Sequence, residues 1–216
     1  MKRVALAALM VVTAAILVVM FRPRGGLSAG PVNAGKGGTA NGQPIDIGIP
    51  YSFGYLLRNY GTKPAVIEQV RVLGVTGPIE VLGVWARRHP SGPKPYLFLA
   101  AFGFPPPDYP SKPLAEENVI PVPAPHPTDE DPTEGLQLVV GVKSTGPGVG
   151  RIRGIEVTYR VGHRRFRNSD ESDGYLCAPA SDYVLGGPKE ASCRTDETFD
   201  KNFVDFRVPI DQQRGG

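Results

Sequence analysis

Arg160, His163, Arg164, Arg165 and Arg167 place five basic or titratable side chains within eight residues. A cluster of this kind can meet anionic lipid headgroups or a polyanionic envelope polymer. The same pattern also suits an edge strand charged on purpose, which resists pairing with a second sheet. These five residues are the candidate binding patch of the chain.

No other constellation in the sequence carries a reaction. His89, His126 and His163 fall in expected loops or at strand ends, and none adjoins a serine or cysteine in a recognisable motif. Two acidic groups, Asp129-Glu130-Asp131 with Glu134 and Asp170-Glu171 with Asp173, invite comparison with calcium sites. Calcium takes six to eight oxygens, and neither group has the order of acids and glycine of an EF-hand loop. Gly30 to Gly37 nearly spells a phosphate-binding loop. It has no strand before it, no helix after it, and Gly37 where the magnesium-binding hydroxyl should stand. It reads as a glycine-rich spacer. No catalytic residue, metal or cofactor is therefore assigned.

Cys177 and Cys193 are the only two cysteines, sixteen apart in a polar, Gly/Pro-bearing segment. An even count with no Cys-x-x-Cys spacing points to a structural disulfide in an oxidising compartment.

The elements that must position these residues begin with a transmembrane anchor or uncleaved signal, for which a cleaved signal peptide is the competing reading. Met1 to Arg3 form a short flank, and Val4 to Phe21 are eighteen residues without a charge. As a helix such a run covers about 27 Å, close to the hydrocarbon thickness. Residues 22–43 are rich in Gly, Ala, Ser and Asn and read as a flexible linker. The formal charge of +3 belongs to this end of the chain: five of the 24 basic residues precede the first acid, Asp46. The remainder has 19 basic and 21 acidic residues, which argues against nucleic acid as a partner.

From residue 44 to 210 the pattern is all-β. Alternating apolar residues mark strands at Ser52–Arg58, Ala65–Leu73, Ile79–Arg87, Leu136–Lys143, Ile155–Val161 and Asn202–Val208. Val66 and Ile67 break the alternation, as a bulge would. Tyr96–Phe102 is almost wholly apolar, as in a strand covered on both faces. Nine prolines between Pro105 and Pro127 make that stretch a long crossing loop with at most a short edge strand at Val119–Val122. The runs at 136–143 and 155–161, joined through a Gly/Pro turn, predict a hairpin. Residues 211–216 form a tail.

Two apolar strand faces are best buried as two packed sheets. With Asn59-Tyr60-Gly61 between two strands, Pro64–Ile67 opening the second, and the run at 136–161, the domain resembles the immunoglobulin-like sandwiches of bacterial secreted and envelope proteins. The resemblance implies an antiparallel sandwich with an adhesive, scaffolding or accessory role, and no activity. The expectation is a single-pass cell-membrane protein with this domain on the extracytoplasmic side, acting as a non-enzymatic binding or scaffolding module. Its partners would be the membrane through the N-terminal helix and an envelope protein or anionic polymer. An envelope hydrolase with a loop-built site, and a structural subunit of a membrane complex, are the alternatives.

Overall fold

The computed structural model describes residues 27–34, 41–89, 100–123, 135–182 and 204–209. Numbered in chain order, its strands are β1 (Val32–Asn33), β2 (Asn41–Pro44), β3 (Pro50–Asn59), β4 (Ala65–Val75), β5 (Ile79–His89), β6 (Ala100–Phe102) and β7 (Lys112–Pro113). They continue with β8 (Val119–Ile120), β9 (Gly135–Ser144), β10 (Gly148–Ile152), β11 (Gly154–Val161), β12 (Arg164–Asp170), β13 (Gly174–Ala178) and β14 (Val204–Pro209).

The architecture is all-β, with two antiparallel sheets around one core. The first sheet runs β1-β3-β9-β5-β7, and β6 also lies on β3. The second runs β12-β11-β4-β14, and β8 also lies on β4. Period-two alternation explains the core. Tyr51, Phe53, Tyr55 and Leu57 of β3 and Leu136, Leu138, Val140 and Val142 of β9 share one buried cluster with Ile67, Val70 and Val72 of β4 and Ile155, Val157 and Tyr159 of β11. β10, β13 and β2 form a third, small sheet, in which β2 runs parallel to β13. It packs close: a side chain at Gly174 would meet the Phe53 ring at 2.9 Å.

The alternation fault near Val66 is a bulge. Thr158 pairs with Gln69 and Tyr159 with Ile67, so Glu68 is the extra residue. The bulge shifts the inward phase of β4 from Ala65 and Ile67 to Val70 and Val72, all of them buried.

Several expectations are corrected. The runs at 136–143 and 155–161 do not pair with each other. β9 lies between β3 and β5, whereas β11 lies between β4 and β12. Between them β10 turns aside to pair with β13, so the chain changes sheets instead of closing a hairpin. The hairpin partner of β11 is the arginine-rich β12. Its apolar content is too thin to announce a strand.

β9 is buried on both faces, Gln137 and Val139 included. The cover comes from the proline-rich stretch. Phe104 lies over Gly141, where a Cβ would fall 2.2 Å from the ring, and meets Trp85 edge-on at 5.9 Å. Tyr109 then takes the Arg87 guanidinium over its ring. β6, by contrast, is an edge piece, and its Phe102 is among the most exposed apolar residues.

The linker expected over residues 22–43 is also corrected. Within it, residues 27–34 and β2 are built into the fold, and Val32 and Ala34 are buried. The folded unit therefore begins by Leu27 and not at residue 44. The run Val4–Phe21 expected to cross a membrane lies outside the described residues. Among the described residues, no helix is long and apolar enough to do so.

Candidate binding face

The expected patch assembles on one hairpin. Val161 pairs with Arg164, Arg160 with Arg165, and Thr158 with Arg167. The connection is the two-residue turn Gly162-His163, with Gly162 at φ +58°, a conformation that favours glycine. His163 stands exposed at the tip. Strand alternation sends Arg160, Arg165 and Arg167 to the outer face. Arg164 falls on the other side with Phe166 and lies over its ring at 5.5 Å.

Glu68, beside the bulge in β4, carries the carboxylate that organises this face. Glu68 binds Arg165 at 2.6 Å and Arg160 at 3.3 Å. One strand pair further, Glu156 binds Arg71 at 3.1 Å and Arg167 at 3.5 Å. Four guanidiniums thus meet these two carboxylates. Arg207 of β14 pairs in register with Arg71 and adds a further exposed cation. Ion pairs this exposed contribute only about 0–1 kcal/mol each, so their main effect is on where the guanidiniums stand.

A strap closes the gap between the two sheets beside this hairpin. Starting from the β12 edge, the Arg167 backbone N–H donates to the Ser28 carbonyl at 2.9 Å. Gly30, at φ +66°, passes beneath Tyr159 and Phe166, where a Cβ would lie 2.4 Å from the Phe166 ring. The Tyr159 hydroxyl donates to the Ala29 carbonyl and accepts from the Val32 N–H. Asn168 donates to the Val32 carbonyl at 2.5 Å. Tyr60 N–H donates to the Pro31 carbonyl at 3.0 Å, and β1 then joins β3. Burial raises the Tyr159 pKa, against the opposing pull of the Val32 N–H. Gly30 to Gly37 is thus not a mere spacer at its start: Gly30 is there for close approach. No sequence rule points to that, because the aromatic pair it serves lies well over a hundred residues away.

The remaining candidates separate. Asp170 accepts from the Ser172 backbone N–H at 2.9 Å and from its hydroxyl at 2.6 Å. Asp173 holds Arg151 through two contacts, at 2.7 and 3.1 Å. This acidic group therefore serves a turn and an ion pair. Among the described residues no group of His, Cys, Asp and Glu is gathered as a metal site. His126 and the acids from Asp129 to Glu134 lie outside the described residues, as does Cys193. Cys177 is fully buried on β13 and is not a free thiol.

No protein-family model matches the chain. No curated protein matches it either. Among solved structures it is similar to the ASH/PapD-like domain of human CEP192 (PapD-like domain 7). The identity is 11% and the TM-score 0.34, over 73% of this chain and 93% of that one.

Proposed function

We propose that this chain is a single-pass cell-membrane protein that holds an immunoglobulin-like sandwich on the extracytoplasmic side of a bacterial-type envelope. There it works as a non-enzymatic binding or scaffolding module. The observation that supports this reading best is the outer face of β11, β12 and β4. It carries more guanidiniums than carboxylates, in fixed positions, on a rigid sheet. Such a surface suits recognition of an anionic partner. The uncharged run Val4–Phe21 supports the anchor. The pairing of Cys177 with Cys193 belongs to the same proposal, since an exported domain keeps such a bond.

The test is crosslinking in native membranes followed by affinity purification of the chain, with alkylation of thiols before and after reduction. Recovery of an envelope component, lost when Arg165 and Arg167 are replaced by glutamine, supports the binding role. Recovery of the chain alone, or two alkylated thiols without reduction, counts against it.

A further inference from the structure

We propose that the arginine face of the β11–β12 hairpin rests on the anionic headgroups of the bilayer in which the chain is anchored, an inference that depends on the membrane reading above. Two observations carry it.

The first is the length of chain between the apolar run and the fold. Only Arg22 to Gly26 separate Phe21 from Leu27. Even fully extended, that stretch reaches at most about 20 Å. A flexible linker running to residue 43 would leave the domain free to turn any side to the bilayer. The strap removes that freedom, because Ser28 is already hydrogen-bonded to β12 and Val32 to Tyr159.

The second is where the chain leaves the domain. The Ser28 carbonyl accepts from Arg167, so the exit point lies on the edge of the arginine strand itself. From Arg167 to the Gly162-His163 turn is about 16 Å along the strand, comparable with the reach of the connecting residues. The arginine strand β12 is thus the strand to which the chain is tied nearest the apolar run. Its neighbours Arg22 and Arg24 add charge of the same sign at the interface. On the other side of Arg167 from the turn, Asp170 is buried and engaged with Ser172, and Asp173 is held by Arg151, which leaves the exposed Glu171 as the acid there that could oppose an anionic surface. Held this close, even weak contacts act at high effective concentration. A polyanion in solution would have no such advantage over lipid.

The experiment uses the full chain in lipid nanodiscs of phosphatidylcholine alone or mixed with phosphatidylglycerol, read by amide hydrogen exchange over residues 160–168. Exchange at the hairpin is expected to slow by about tenfold in the anionic discs, from several arginines each adding a modest factor. Raising the salt should reverse it. The variant Arg160→Gln/Arg165→Gln/Arg167→Gln should lose the effect. A Gly/Ser insertion of some fifteen residues after Gly26 should weaken it several-fold. The lipid comparison needs only the unaltered chain, so a variant that fails to fold does not decide the matter. Equal exchange in both discs overturns the inference. So does protection by soluble polyphosphate on zwitterionic discs without protection by phosphatidylglycerol, which would assign the face to an envelope polymer. Flotation with vesicles separates the two levels. A chain that does not float removes the anchor and the inference together. One that floats without lipid-dependent protection removes the inference alone.

Discussion

The Val32 backbone N–H donates to the Tyr159 hydroxyl at 3.0 Å, joining residues 127 apart. Val32 is almost fully buried, so this amide has no water to turn to. One phenol thereby closes the sandwich and fixes the place where the chain departs toward its N-terminus.

Tyr159→Phe keeps the stack on Phe166 and removes only the hydroxyl. It leaves the Val32 donor and the Ala29 acceptor without their partner. The expected loss is about 1–3 kcal/mol in urea unfolding. Exchange at the amides of Val32 and Asn33 should rise more than at β9, because the strap opens before the core does. Uniform acceleration across both would show that the strap is no separate unit.

How far the sequence foretold this depends on which neighbours a residue answers to. β3, β4, β5 and β9 were legible because each carries its own alternation and meets the common core. The arginine cluster was legible as a charged strand end, since charge needs no partner to be seen. Its ion-pair partner Glu68 was not, because that carboxylate lies on β4, 97 residues from Arg165 in the chain. The strap stayed hidden for the same reason: Leu27 to Ala34 has no periodicity, and its hydrogen bonds go to residues on distant strands. Glycine served opposite ends here. Gly30 and Gly141 look like linker and strand-breaker, yet each makes room for an aromatic ring.

Gly141→Ala tests that last point. Its Cβ would fall 2.2 Å from Phe104, which cannot withdraw without leaving Trp85. Overpacking of this kind costs typically about 1–3 kcal/mol. Phe104→Leu in the same chain should recover part of it, and a double-mutant cycle over the melting curves would read the coupling. Strictly additive losses would mean that the ring does not sit over β9.

Alkaline pH should unfold the domain before its arginines lose charge. Burial pushes the Tyr51 hydroxyl up to about 12. Burial, then Asp170 and Asp173, raise that of Tyr55, and burial raises those of Tyr159 and Tyr175. A tyrosine with a raised folded pKa favours the folded state while both states are protonated. Above about pH 10 the unfolded chain releases protons that the folded one retains, and stability falls. Denaturation midpoints should therefore hold level from neutral pH to about pH 9 and decline beyond about pH 10. A level profile through pH 11 would show these hydroxyls to be open to water.

Glu68→Gln separates a stabilising role for the ion pairs from a recruiting one. Glu68 engages both Arg160 and Arg165, and the amide that replaces it carries no charge to hold them. The stability cost should stay below about 1 kcal/mol, because pairs this exposed are weak. Binding to phosphatidylglycerol vesicles should strengthen several-fold, since two guanidiniums pass from a shared carboxylate to the headgroups, at a net gain of one positive charge. A purely structural network predicts a different pattern: a marked loss of stability and unchanged vesicle affinity. Titration of vesicles by the variant and the unaltered chain, at low and high salt, tells these apart. Only the recruiting role gives a gain that disappears at high salt.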